Sequence, residues 1–322
     1  MRKLLLLLPV AACAALLAGT APAVTIDWVT VGDPGNAADT TGYGAVGYTY
    51  KISKYEVTNT QYAEFLNAVA ATDTNALYNT DMGDDATVGG ITQSGVSGSF
   101  TYNVKAGFED KPVVFVSFWD ALRFANWLHN GQPTGAQDNS TTEDGAYTIT
   151  AQGIADNSIT RNAGATIFLT SEDEWYKAAY YDAVSATYFD YPAGTDTQTA
   201  CVAPASDTGN SANCNNAVGA LTDVGAYTLS DSPAGTFDQG GNAYEWNETI
   251  FFYPPSLSFR GGRGGGWNND PSELSASLFA ETLPASEFQN TGFRVASLPE
   301  PSTSLLVAAG LLAVAGWRRR SG

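Results

Sequence analysis

Few residues of this chain could act as nucleophiles, redox groups or soft metal ligands, because it contains only three cysteines and one histidine. Cys201 and Cys214 are the only cysteines outside an apolar N-terminal segment. In an exported protein such a pair predicts a disulfide, worth about 3 kcal/mol in the chain-entropy model. The alternative is a dithiol metal or redox site, although this spacing matches no short metal-ligand motif. His129 follows an apolar helical pattern, which predicts a role as an exposed cap residue.

Carboxylates dominate the charge of the chain, with 33 Asp and Glu residues against 15 Lys and Arg and a formal net charge of −18. Nucleic acid is excluded as a partner, because binding phosphates requires a basic surface. The acidity suits a soluble surface and hard cations, which prefer oxygen ligands. Carboxylate pairs occur by chance at this density and indicate no particular hydrolase. The sequence motifs of serine hydrolases, zinc proteases and P-loop proteins are absent.

The N-terminus has the pattern of a secretory signal peptide over residues 1–23. Arg2 and Lys3 precede an apolar run, and the sequence Ala-Pro-Ala ends at Ala23. This order predicts cleavage by signal peptidase after Ala23. Cys13 leaves a lipoprotein signal as the alternative. Residues 24–45 are then an N-terminal segment of the mature protein.

The C-terminus, residues 298–322, has three parts in a fixed order. Pro299-Glu300-Pro301 precedes the uncharged stretch 302–317, and three arginines, 318–320, follow. A helix of that length would span about 24 Å, which is short for a bilayer core unless the arginines snorkel. A plain membrane anchor would have these features. The order also resembles the PEP-CTERM sorting signal, which implies an exosortase as partner, transient anchoring in the inner membrane, and delivery to the cell surface or an extracellular matrix.

The sequence between these two ends predicts one mixed α+β domain. Alternating residues over 46–57 predict a strand. Three capping boxes predict helix starts, Thr58 with Gln61, Ser117 with Asp120 and Ser171 with Glu174. Residues 182–236 lack any long helical pattern and predict an irregular segment held by the cysteine pair.

Five segments in the body resemble the formylglycine-generating enzyme, or sulfatase-modifying factor, superfamily. They are Tyr-Glu-Val-Thr-Asn from residue 55, Val-Ser-Phe-Trp-Asp from 116, Leu-Thr-Ser-Glu-Asp-Glu-Trp from 169, Gly-Asn-Ala-Tyr-Glu-Trp from 241, and Arg-Gly-Gly from 260 with Asn-Thr-Gly-Phe-Arg from 290. The resemblance covers residues 46–297. It implies a variant of the C-type lectin-like fold, rich in irregular loops.

The resemblance also shows which catalytic ligands the chain lacks. The family's oxidase holds copper(I) with two cysteines that follow a Trp equivalent to Trp267, but 268–274 contains no cysteine. The related sulfoxide synthases bind iron with three histidines, and this chain has one. We therefore expect no copper, no iron and no catalytic residues, and interpret the domain as a binding module for a surface polysaccharide or protein. The alternative is an oxidoreductase-type modifying enzyme with unrecognised metal ligands.

A structural calcium site is the cofactor that the resemblance implies. The family pattern Asn-x-x-Gly-x-Ala-x-Glu aligns with residues 238–245, where Asp238 replaces the Asn. It implies carboxylate ligands from Asp238 and Glu245 and backbone carbonyl ligands from Gly241 and Ala243. A second family site maps loosely onto Asn213 and the Cys214 carbonyl. The family's substrate groove corresponds to the stretch containing Trp267, Asn269 and Glu273, which we take as the expected ligand groove.

Overall fold

The structure is a computed structural model that describes residues 23–254 and 257–299. The predicted signal peptide and sorting segment lie almost entirely outside these residues. Within the described part of the chain, no helix has the length and apolar character needed to cross a membrane. The helices are α1 Asn59–Val69, α2 Asp81–Asp84, α3 Phe118–His129, α4 Ala151–Ala155 and α5 Glu172–Tyr180. The strands are β1 Trp28–Val31, β2 Tyr50–Ser53, β3 Ile91–Ser94, β4 Thr101–Val104, β5 Ile167–Leu169, β6 Tyr181–Asp182, β7 Thr187–Tyr188, β8 Ala200–Cys201, β9 Ser211–Ala212, β10 Tyr244–Tyr253, β11 Leu257–Arg263, β12 Ala280–Thr282, β13 Thr291–Phe293 and β14 Val295–Ser297.

Two four-stranded sheets organise the domain. The first has the strand order β1-β2-β14-β5 and is antiparallel throughout, so the last strand lies between strands from earlier parts of the chain. The second has the order β12-β11-β10-β13, in which β10 and β13 are parallel. Only Arg294 separates β13 from β14. The two sheets are therefore joined through one residue, which fixes the position of its side chain between them.

The three predicted capping boxes are all confirmed at the starts of α1, α3 and α5. Ser117 accepts a hydrogen bond from the Asp120 amide, and the Asp120 carboxylate accepts one from the Ser117 amide. Thr58 with Gln61 and Ser171 with Glu174 have the same reciprocal arrangement. Because a capping box satisfies otherwise unpaired amides at a helix start, the sequence signal fixes where each helix begins.

The main core is strongly aromatic and lies between α1, α3 and the sheets. Phe124 of α3 contacts the rings of Tyr62, Phe65, Trp127 and Phe293. All five are buried. Burial of side chains of this size contributes about 1.5–3 kcal/mol each, so this cluster holds both long helices against the sheets.

The segment 182–236 is largely irregular, as its composition predicts. Its regular structure consists of two-residue strand pairs and one short 3-10 turn. Cys201 and Cys214 form a disulfide whose Cα atoms are 4.9 Å apart, next to the parallel pairing of β8 and β9. The predicted strand over 46–57 is shorter in the structure, Tyr50–Ser53. Beyond it, Val57 donates to the Phe293 carbonyl oxygen and accepts from the Val113 amide, so it leaves the sheet formed with β1.

Candidate ligand and cation site

Glu245 and Arg294 form an enclosed ion pair at the junction of the two sheets. The Arg294 guanidinium donates to Glu245 Oε1 over 2.7 Å, and the Trp175 indole donates to Glu245 Oε2 over 2.7 Å. Arg294 also donates to the peptide oxygens of Ser53 and Phe237, 2.9 and 2.8 Å away. Both charged side chains are fully buried. Most of the hydrogen-bonding capacity of the Glu245 carboxylate is therefore used within the protein.

Two further buried carboxyl groups feel the charge of the same guanidinium. Asp238 lies in the left-handed region with φ 59° and accepts a hydrogen bond from the Gly225 amide over 2.6 Å. Burial raises the pKa of Asp238 to about 6. Burial also raises the pKa of Glu56, whose two side-chain oxygens have no hydrogen-bond partner. Glu245 pairs directly with Arg294, and the charge of the guanidinium also acts on Asp238 and Glu56, so this buried site holds an excess of potential negative charge.

The remaining residues of the predicted calcium sites lie beside this cluster. Asn213 is buried, and its side-chain amide donates to the Ala220 carbonyl oxygen over 2.9 Å, while its side-chain oxygen has no partner. Gly241 adopts φ 85° directly against the Asn213 carbonyl, where a Cβ atom would come within 2.5 Å. Ala243 is buried just before β10. The structure therefore brings Asn213 next to the loop that carries Gly241 and Ala243.

The fit of these residues to a calcium ion differs from one ligand to the next. The buried side-chain oxygen of Asn213 is an acceptor of the kind calcium binds, and it lacks a donor within the protein. Glu245 would have to share its oxygens with Arg294. Across residues 23–254 and 257–299, no group of three or more His, Cys, Asp or Glu side chains is placed to hold a metal ion. A calcium site here would thus depend largely on amide and peptide oxygens.

The stretch after Trp267 is held by its own hydrogen bonds. Asn269 accepts from the Gly266 amide over 3.1 Å and from the Asn290 side chain over 3.0 Å. Glu273 accepts from the Tyr244 hydroxyl. Trp267 is buried in the main core, whereas Asn269 and Glu273 are partly exposed. Trp267 thus packs beneath this stretch, whose other polar residues, including Asp270 and Ser272, are exposed to solvent.

The structure also has an apolar hollow, on another part of the surface, that the sequence did not predict. It has a volume of about 610 Å³ and lies between the outer parts of β10 and β11 and the chain around Pro284. Phe252, Leu257 and Leu283 line it with 60%, 50% and 51% of their surfaces exposed. In β10 only the last four residues, 250–253, form an apolar run, and such a run does not by itself indicate which of its side chains are exposed.

The family of this chain is decided by its match to a family model. The model of the sulfatase-modifying factor enzyme 1-like domain matches residues 43–298. The chain belongs to this family. Its domain has the α+β, loop-rich variant of the C-type lectin-like fold. A second model, that of the PEP-CTERM protein-sorting motif, matches residues 297–320. This motif identifies an exported protein associated with the cell envelope and processed by exosortase-type sorting machinery.

Solved structures support the same fold. The structure titled CarF is similar with a TM-score of 0.56 and 20% identity, covering 86% of this chain and 99% of that chain. Treponema denticola variable protein 1 is similar with a TM-score of 0.53 and 16% identity, covering 84% and 95%. No curated protein matches the chain. At these identities the likeness concerns the fold alone.

Proposed function

We propose that this chain is an exported surface or matrix protein whose sulfatase-modifying factor-like domain binds a ligand or partner without catalysing a reaction. The observation that carries the proposal is the composition of the stretch 268–274. It contains neither cysteine nor histidine, and its polar side chains are engaged in local hydrogen bonds. Copper(I) requires soft thiolate ligands, which this stretch cannot supply.

Export and processing follow from the two ends of the chain. The N-terminal pattern supports removal of residues 1–23 by signal peptidase. The sorting motif supports transient anchoring in the inner membrane through the apolar C-terminal stretch, followed by removal of that stretch by an exosortase. The mature domain would then reside at the cell surface or in the extracellular matrix.

The apolar hollow is the surface that we propose for ligand contact. Exposed aromatic and aliphatic side chains are costly in water, and a cluster of them on an acidic, soluble protein commonly marks a binding site. The Phe252 ring can pack against a sugar face or an apolar side chain. The partly exposed Asn269 and Glu273 form a second, more polar surface, which corresponds to the groove predicted from the family.

A binding assay with matched variants tests this proposal. The purified mature protein is incubated with the exopolysaccharide and the surface proteins of its host, and retained material is quantified. Phe252→Ser and Leu257→Ser should each reduce retention at least several-fold. Val184→Ser, which changes a side chain 97% exposed in a separate loop, should not. Failure to retain either class of material would contradict the binding function.

The enzymatic alternative makes a different prediction for metal content. A modifying oxidoreductase with unrecognised ligands should carry copper or iron near one equivalent per chain when isolated from its host. Plasma mass spectrometry on the same preparation measures this directly. Stoichiometric copper or iron would favour the enzyme over the binding module.

Structural calcium is a separate proposal for the region of Asp238, Gly241, Ala243, Glu245 and Asn213. It is supported by the family pattern and by the unpartnered buried oxygen of Asn213. Calcium titration by calorimetry should show binding that Asn213→Ala weakens. Asn75→Ala, which removes a half-buried side-chain amide that donates to Glu143 Oε1 over 2.9 Å, is the control. Absence of calcium binding by the unmodified protein would contradict this proposal.

A further inference from the structure

Val24, the first residue after the predicted signal-peptide cleavage site, is held inside the fold. Only 8% of its surface is exposed, whereas the preceding Ala23 is exposed. The Val24 main-chain nitrogen lies 2.7 Å from Gln132 Oε1, and Gln132 Nε2 donates to the Val24 carbonyl oxygen over 2.8 Å. The side-chain amide of Gln132 therefore hydrogen-bonds to both the main-chain nitrogen and the carbonyl oxygen of Val24. A neighbouring β-strand would satisfy the same two groups.

The backbone of Gln132 is constrained in a way that favours this contact. Gln132 follows α3 in the left-handed region with φ 61°, and its amide donates to the Trp127 carbonyl oxygen over 2.9 Å. Non-glycine residues adopt this conformation at a conformational cost and only where the surrounding structure enforces it. A second glutamine, Gln61, donates to the Thr25 carbonyl oxygen over 2.9 Å. Two side-chain amides thus fix the first two residues after the cleavage site.

The cavity at this point is acidic. Ala23, Val24 and Thr25 line a groove of about 500 Å³. Its lining also includes four carboxyl groups, those of Asp27, Glu64, Asp110 and Asp223. No lysine or arginine lines the groove, but Lys111 pairs with Asp223 over 3.3 Å. This pairing leaves Asp27, Glu64 and Asp110 as the main negative groups of the lining. A positive charge placed in this groove would be stabilised, because nearby carboxylates favour the charged form of a cationic group.

We propose that Gln132 and the acidic groove form a binding site for the α-ammonium group of the mature chain at Val24. Hydrolysis by signal peptidase adds one water across the Ala23–Val24 peptide bond, leaving a carboxylate on Ala23 and an ammonium on Val24. An ammonium offers more donors than the amide it replaces. One donor binds Gln132 Oε1, and the others face the groove. This inference rests on the proposed export of the chain and adds a role for its processed terminus.

The site has a consequence for the order of processing and folding. The bond that must be cleaved adjoins a residue that is buried once the domain has folded. We therefore expect signal peptidase to cleave this bond before Val24 docks. After docking, the new terminus is shielded from acylating reagents and aminopeptidases. Hydrogen bonds from Gln61 and Gln132 also hold the N-terminal segment against α1 and the chain that follows α3.

Chemical modification of the α-amine tests the site. The full chain is exported with its own signal peptide, the mature protein is isolated, and its first residue is determined by mass spectrometry. The rate of α-amine acetylation at pH 7 is then measured with N-hydroxysuccinimide acetate. We expect Gln132→Leu to react at least about tenfold faster than the unmodified protein, because a hydrogen bond to a charged group is lost. Gln152→Leu, the same change on an exposed helix, should react at the unmodified rate.

A conservative variant covers the case in which Gln132→Leu does not fold. Gln132→Glu retains an acceptor for the ammonium and should preserve the slow rate. Equal rates in the unmodified protein and in Gln132→Leu, or unprotected amine in Gln132→Glu, would overturn the site while leaving export intact. A mature chain that begins at another residue would overturn the site and the cleavage prediction together. Neither result would bear on ligand binding, which the retention assay measures.

Discussion

The carboxylate of Asp120, in the first turn of α3, accepts hydrogen bonds from the Ser117 amide over 2.8 Å and from the Ser117 hydroxyl over 2.6 Å. The charge of Glu287, in the loop before β13, disfavours ionisation of Asp120, and Asn79 donates to Glu287. Burial raises the pKa of Asp120 to about 8 against the opposing effects of Ser117 and Arg123, and burial raises that of Glu287 too. Two adjacent carboxyl groups in a buried site favour retention of a proton.

The raised pKa of the buried Asp120 carboxyl predicts a fall in stability as the pH rises. Native Asp120 retains a proton that the unfolded chain releases above about pH 4. Its contribution to the free energy of unfolding is thus fully present below that pH and is lost as the pH rises to about 8, by up to ~1.4 kcal/mol per pH unit. Asp120→Asn keeps the cap acceptor and should flatten this dependence. Urea unfolding at pH 5, 6.5 and 8 measures the difference, with the exposed Asp231→Asn as control. Parallel curves for Asp120→Asn and the unmodified protein would contradict the prediction.

The cluster around Arg294 predicts unequal effects of breaking its ion pair from either side. Arg294→Met leaves Glu56, Asp238 and Glu245 without a counter-charge and should destabilise the fold by about 3–5 kcal/mol. Glu245→Gln leaves Arg294 with two other carboxyl groups and a neutral acceptor, so its cost should be smaller. Urea unfolding at pH 7 ranks the two variants. A larger loss of stability for Glu245→Gln than for Arg294→Met would contradict this prediction. It would mean that Asp238 and Glu56 do not compensate the charge of Arg294.

The sequence alone predicts features that depend on residues close together along the chain, such as the starts of helices. A capping box such as Ser117 with Asp120 lies within four consecutive residues, so its signal is complete in the sequence. The enclosed Glu245–Arg294 pair joins residues 49 positions apart, and the hollow joins Trp119 with Phe252 and Leu283. Such contacts depend on how the sheets pack. The family motifs identified Glu245 and Arg294 as notable residues, but their pairing required the structure.

The disulfide predicts a stability loss that differs between its two cysteines. Closing a loop of this length contributes about 3 kcal/mol by restricting the unfolded chain, and either serine variant removes that contribution. Cys214 is fully buried, whereas Cys201 is partly exposed. Cys214→Ser should therefore lose a further ~1 kcal/mol or more through a poorly satisfied buried hydroxyl. Urea midpoints of both variants, compared with the unmodified protein with and without a reducing agent, check this order.

A comparison of Gly241→Ala with Gly164→Ala separates the cost of a left-handed backbone conformation from the cost of a steric clash. It has φ 85°, and an added Cβ would approach the Asn213 carbonyl oxygen to 2.5 Å. Gly164 has a similar φ of 87°, but an added Cβ would meet no atom within 4 Å. Gly164→Ala should cost only the conformational penalty of about 1–2 kcal/mol. Gly241→Ala adds a clash with main-chain atoms that cannot rotate away, so its cost in urea unfolding should clearly exceed that of Gly164→Ala. Equal losses would mean that the Asn213 segment yields readily, which would also weaken the case for a rigid cation site beside it.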